Sequence, residues 1–405
     1  MKWCPEDNFF ESWRFVYWIT KVFAITTYTV NFEDQTAEQT STDQLVMIAS
    51  LLVCLLSMYN SYESYKIWMN WMTTSYISNI GLFATQGFLQ LSQLISLILN
   101  YINAMKVFKI ATIMNKVDKK FFVLFGYRMT YHRRHLYGAL LAVSGYINWI
   151  IYMIVMTHYF NPLNSGLTLI ELLRIGLSSF WVVLCFQTNG IYIVLILLTL
   201  RTHFAQLNKQ IRKHFNTTPH GKLRYTMDSD QASKLIMKFA TLHDQLSDAI
   251  GLFNQCFSTQ AMFGLTLAFG FTVFSIFGVI HTHATDTDEN SRQLSRFNMI
   301  YDGFYVLFIV QLVVFSSLVN TECKRTATVI HKVICYGSHD KQTLKELRIF
   351  SQQLWHHTPK ISCGLFAFEW ELFYTMAGSL TTYLIILMQF DLVNFDYAVL
   401  VAGGD

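Results

Sequence analysis

Two histidine pairs are spaced as metal ligands often are: His281 with His283, and the adjacent His356 and His357. No cysteine or carboxylate cluster completes a site around either, so solvated loop histidines are expected and no metal. Glu171, Arg174 and Asp302 are different, because each lies in an apolar stretch, where a charge is costly and functional by default. Glu171 and Arg174, three residues apart, suit a pair on one helix face. The chain holds no phosphate loop, dinucleotide fingerprint, nucleophile elbow or zinc-protease helix. Paired catalytic groups are too sparse in the apolar stretches for an enzyme embedded in a membrane. No enzymatic activity, cofactor or nucleic-acid partner is therefore expected. The remaining chemistry is binding and conduction.

The elements that must position these residues are membrane helices. Of 405 residues, 53% are hydrophobic and 14% charged, against about 25% charged in an ordinary soluble domain. A bilayer core of about 30 Å needs roughly 20 apolar residues in a helix. Seven stretches qualify or nearly so: 44–60, 76–105, 136–160, 170–200, 254–280, 300–319 and 372–390. The second and fourth exceed a bilayer's need and must tilt or project. Pro5, Pro162, Pro219 and Pro359 all fall between the stretches, so none breaks a span. Residues 9–30 are aromatic-rich but interrupted by Arg14 and Lys21, which predicts an interfacial helix rather than an eighth span. Glu6, Asp7 and Glu11 stand where a cleavable signal peptide would be basic, so none is expected. The fold class is all-α, a polytopic seven-span membrane protein.

Alternate loops differ sharply in Lys and Arg. Counted from the N-terminus, the odd-numbered segments carry 26 and the even-numbered ones 3, with Arg174 inside the fourth span. By the positive-inside rule the N-terminus is cytoplasmic, and seven crossings put the C-terminus outside. All seven cysteines fall in spans or inner segments, so free thiols are expected. The sequon Asn216-Thr217-Thr218 lies in a basic inner loop and should be silent.

The inner segments carry helical periodicity of their own. Apolar residues recur at Phe204, Leu207, Ile211 and Phe215, at Leu235, Phe239, Leu242, Leu246, Ile250 and Phe253, and at Leu344, Leu347, Phe350 and Leu354. Three amphipathic helices thus hang below the bilayer with stripes to bury, on each other within one subunit and in a bundle that also joins subunits. We divide the chain at 319/320. Residues 1–319 hold the interfacial helix and a six-span ligand-binding bundle, and 320–405 hold anchor helices and the last span.

The last span carries a motif. Residues 382–390 read Thr-Tyr-Leu-Ile-Ile-Leu-Met-Gln-Phe: TY, five apolar residues, then QF. This resembles the C-terminal signature of the insect gustatory receptors, in the arthropod chemoreceptor family that also contains the olfactory receptors. The segment RIFSQQLWHHTPKISCGLFAFEWELFYTMAGSL upstream resembles that family's approach to its seventh helix. Length, span number and inverted topology match over the whole chain. A G-protein-coupled receptor fits poorly. Its N-terminus is outside, and this chain lacks both an Asp-Arg-Tyr after the third span and an Asn-Pro-x-x-Tyr in the seventh.

The resemblance implies a ligand-gated, non-selective cation channel in the plasma membrane of sensory neurons, passing monovalent and divalent cations. It implies a homotetramer, or a heterotetramer with related subunits, around a central pore lined by the seventh helices. Carried over by position, Gln389 and Phe390 sit at the gate, and Thr382 and Tyr383 hold neighbouring pore helices in register. A ring of Phe side chains blocks ions by dewetting, and Gln lines a wet open state. The bland alternatives are an interhelical hydrogen bond for Gln389, a belt position for Phe390, and ordinary packing for Thr382 and Tyr383. Asp391 and Asp396 just beyond could draw cations to the outer mouth.

A small-molecule tastant needs a pocket near the exterior. Outer-half polar and aromatic residues suited to one are Gln86, Trp149, Tyr152, Arg174, Trp181, Asp302 and Tyr305. Taken singly, each aromatic is better explained as a belt anchor beside membrane lipid, and taken as a group they are better explained as a pocket wall. Many sugar-sensing members have an acidic residue after the motif Tyr, where Leu384 stands here, so a bitter or other plant-derived compound is the default expectation. A transporter, or a receptor subunit that needs a partner, is the alternative. Unequal spans without internal prolines weigh against a transporter.

Overall fold

The computed structural model describes residues 9–69, 76–129, 169–218, 228–284 and 289–402, with Tyr131, Val143, Tyr146, Ile147 and Ile150 besides. In chain order these form α1 (Phe9–Val22), β1 (Thr29–Asn31), β2 (Thr36–Glu38), α2 (Ser41–Met69), α3 (Tyr76–Ile102) and α4 (Ala104–Phe125). There follow α5 (Leu169–His214), α6 (Ser229–Ala284), α7 (Glu289–Tyr336), α8 (Lys341–His356) and α9 (Trp370–Ala402). Six of these helices, α2, α3, α5, α6, α7 and α9, are long and apolar enough to cross a membrane. The expected third span, 136–160, falls almost wholly outside the described residues.

Length explains the architecture. At about 1.5 Å per residue, the 46 residues of α5 reach roughly 70 Å, over twice a bilayer core. α6, with 56 residues, is longer still. The excess of both, with the end of α7, α4 and α8, forms a second bundle, and here the three periodic stripes are buried together. Phe125 stacks on Phe239 at 5.3 Å, and His243 bridges Phe204 at 5.6 Å and Phe350 at 6.0 Å. Asp118 of α4 meets His203 of α5 at 2.8 Å. α7 runs unbroken through 319/320, so the spanning part and the second bundle share helices. Asp340 caps α8, accepting the backbone N–H of Gln342 at 2.9 Å and of Thr343 at 3.4 Å. Hydrogen bonds from Thr343 and Ser229 hold its carboxyl well below the usual range.

In the spanning part the helices close on one another through glycine. A Cβ at Gly264 of α6 would lie 2.9 Å from the Phe308 ring of α7, and one at Gly190 of α5 would lie 3.1 Å from it. The ring thus fills a slot that only glycine leaves open, as small residues do between membrane helices. A buried amide chain crosses the bundle nearby. Asn189 of α5 donates to Gln260 of α6 at 2.8 Å, and Gln260 donates to Asn100 of α3 at 2.7 Å.

α1 is more embedded than an interfacial helix need be. Phe9, Phe10, Tyr17 and Thr20 are buried, as is the return from Ala24 to Tyr28. Trp13 lies 5.8 Å from Tyr192 and Phe23 5.4 Å from Trp181, so α1 packs along α5. β1 and β2 then form a small antiparallel hairpin. The six described cysteines are free thiols.

Candidate functional site

Tyr301, Phe304, Tyr305 and Phe308 recur at three- and four-residue spacing, so they share one face of α7. That face meets Phe186 and Gly190 of α5 and Phe271 of α6. Phe186 lies 5.0 Å from Phe308 and 5.7 Å from Tyr305, and Phe271 lies 4.8 Å from Tyr305. Between α5 and α7 the rings line a narrow cavity of about 50 Å³. Gln187 and Gln311 join its apolar wall, and no charged residue does. The buried Oε1 of Gln187 has no hydrogen-bond partner among the described residues, so it is an acceptor on offer.

The expected pocket residues fall in different places. Tyr305 lines the cavity. Asp302 turns to α6, where its carboxylate accepts a 2.8 Å hydrogen bond from the Thr272 hydroxyl. Trp181 packs on Phe23, away from the cavity lining, and Gln86 is half-buried on α3. Trp149, Tyr152 and the side chain of Arg174 lie outside the described residues. Phe186, Gln187, Tyr301, Phe304 and Phe308 line the cavity without having been singled out in the sequence. The stripe at 301, 304, 305 and 308 was the available signal.

The motif residues of α9 lie on a helix that the rest of the chain leaves open. No residue in its most apolar stretch is buried. Tyr383 touches the Phe269 ring of α6 at 6.0 Å yet stays 52% exposed, and Phe390 is 61% exposed. Gln389 is exposed as well. The Thr382 hydroxyl donates back to the Gly378 carbonyl at 3.2 Å, so it spends its proton within its own helix. Asn320 of α7 and Asn254 of α6 fix the segment that delivers the chain to α9. Asn320 accepts from the Ile361 N–H at 2.8 Å, and Asn254 donates to the Lys360 carbonyl at 2.7 Å.

The fold is similar to the insect olfactory receptor OR5 from Machilis hrabei. The form in complex with eugenol gives a TM-score of 0.63 at 11% identity, over 95% of this chain and all of that one. The other form gives 0.65 at 11%, over 94% of this chain and 99% of that one. In sequence, the gustatory receptor 28b of Drosophila melanogaster is 26% identical over 171 residues, 41% of this chain. Gustatory receptor 28a of the same fly is 26% identical over 160 residues, 38% of this chain. The matches span about a third of each relative's length, 36% and 35%. The family profile described as 7tm chemosensory receptor matches residues 13–394, nearly the whole chain, and the protein belongs to that family.

Proposed function

We propose that this chain is a gustatory receptor subunit acting as a ligand-gated, non-selective cation channel. The observation that carries the reading is the exposure of α9. Of the six candidate spans, α9 alone has no buried residue in its most apolar stretch, and Tyr383 and Phe390 stand open on it with Gln389 beside them. Four such helices around an axis would cover those residues. Tyr383 would then lie between subunits, while Phe390 and Gln389 form the dry and wet states of one constriction. The second bundle, on the inner side by charge, would hold the four subunits together.

The ligand is an uncharged small molecule with an aromatic or alicyclic body. Five aromatic rings and an unpartnered Gln187 oxygen offer stacking and one hydrogen bond, and no charge in the cavity wall would reward an ion. The structural neighbour solved with eugenol holds a molecule of that character. At about 50 Å³ the cavity is far below the roughly 300–1,000 Å³ of ligand pockets, so binding must part α5 and α7. The test is whole-cell recording from cells that express this chain alone in their plasma membrane, perfused with a panel of neutral aromatic tastants. Evoked current carried by sodium and potassium supports a self-sufficient channel. Surface-expressed chain without current under any of them would contradict it.

A further inference from the structure

The outer half of α9 is tied to the spanning bundle by a polar pair. Nδ1 of His281, near the end of α6, hydrogen-bonds the Asp391 carboxylate, which follows Phe390 directly in sequence. Both side chains are largely withdrawn from solvent, at 12% and 22% exposure. Lower down, α9 meets α6 through rings, as where Tyr383 touches Phe269. Ring contacts let a helix slide or turn, whereas a hydrogen-bonded carboxylate fixes both its height and its rotation.

The same helix reaches the cavity. Phe271 of α6 lies 4.8 Å from Tyr305 and 5.4 Å from Tyr301, both in the cavity wall. Ten residues, about 15 Å of continuous helix, separate Phe271 from His281. A ligand that widens the cavity must move Tyr305 and press on Phe271, and a rigid helix carries that displacement to His281.

We infer that the His281–Asp391 pair is the coupling between ligand site and gate, a latch that holds α9 in its resting position. This rests on the reading of Phe390 as the gate. The narrow cavity places the observed arrangement before ligand entry, so the pair belongs to the resting state. Losing either partner frees α9 and shifts the balance towards open.

The test records the standing cation current, without ligand, from cells expressing each variant, normalised to surface protein. His281→Ala and Asp391→Ala should each raise it by about tenfold, the size of a typical coupling between sites. The double variant should go no further than either alone, because both remove one interaction. Exchanging the partners, His281→Asp with Asp391→His, should restore the low resting current, which a residue needed only for folding would not do. Unchanged resting currents in both single variants, or single effects that add in the double, would overturn the latch. Phe390→Ala recorded in parallel separates the two readings. A standing current there, with silent latch variants, leaves the gate in place and removes the latch. No current from any variant, Phe390→Ala included, removes both.

Discussion

The side-chain oxygen of Asn320 accepts the backbone N–H of Ile361 at 2.8 Å, and its amide donates to Glu369 at 3.1 Å. One α7 side chain thus holds both ends of the short segment that joins the anchor to α9. Within that segment the chain doubles back, with Phe368 donating to the Ile361 carbonyl at 3.2 Å and Gly364 at φ 86°. The helix read as the pore lining is therefore set by the anchor at its inner end and by α6 at its outer end.

Asn320→Ala should leave the buried Ile361 N–H unpaired, at a cost of about 1–3 kcal/mol. The expected outcome is a lower melting temperature in detergent and less surface protein, measured by fluorescence-detected unfolding and by surface labelling. Asn320→Asp, which keeps the acceptor for Ile361 but loses the donor and repels Glu369, should fall between wild type and alanine.

The cavity makes a second prediction. Tyr305→Ala removes a wall and Gln187→Leu removes the acceptor, so both should shift the dose-response curve of an activating tastant with surface expression retained. For Gln187→Leu the loss of one hydrogen bond corresponds to roughly tenfold in potency. Trp149→Ala and Tyr152→Ala probe the other aromatic wall proposed from sequence. If these two move potency while Tyr305→Ala and Gln187→Leu do not, the ligand sits elsewhere in the bundle.

Topology is checked with tags. An epitope at the C-terminus should stain on intact cells, and one at the N-terminus only after permeabilisation, as the 26-to-3 division of basic residues requires.

His243 gives a pH dependence. It is buried among the anchor helices, in the inner segment 201–250, with its Nε2 lacking a hydrogen-bond partner among the described residues. Burial, with a smaller contribution from His357, pushes its pKa down to about 4. The unfolded chain protonates near the ordinary value of 6.5. Stability is therefore full above pH 6.5 and is lost as pH falls towards 4, by up to roughly 3 kcal/mol. Melting temperature measured between pH 7.5 and 4.5 should fall more steeply for wild type than for His243→Leu. Parallel slopes would contradict the assignment.

Much of this was legible in the sequence. Apolar runs marked the six spanning helices found among the described residues, and the stripes at Phe204, Leu235 and Leu344 pointed to a buried inner bundle, because its helices have one wet face. Inside the membrane that signal fades. α5 is apolar nearly all round, so periodicity could not say that Phe186 and Gln187 face the cavity, whereas on α7 the stripe at 301, 304, 305 and 308 did mark that face. Selecting polar and aromatic residues by depth therefore found Tyr305 and passed over Phe186 and Gln187. Pairs such as His281 with Asp391, 110 residues apart, depend on how whole helices pack, and no local pattern encodes them. The burial of α1 was hidden for the opposite reason. Arg14 and Lys21 marked it as a surface helix, yet Lys21 is satisfied by Asp43 at 3.1 Å and Arg14 stacks over Phe32 at 5.3 Å.

The central claim is that Phe390 closes the pore. Water leaves a narrow apolar ring, and an ion cannot pass through it dry. Phe390→Ala would widen and wet four positions at once. Gln389→Leu should act the other way, making the open pore apolar and lowering the evoked current. The deciding measurement is the whole-cell current of Phe390→Ala without ligand, in cells where surface labelling matches wild type. The account predicts a standing current carried by both sodium and potassium, with weak further activation by tastant. Phe390→Ala channels that stay silent at rest and respond to tastant as wild type does would place the gate elsewhere.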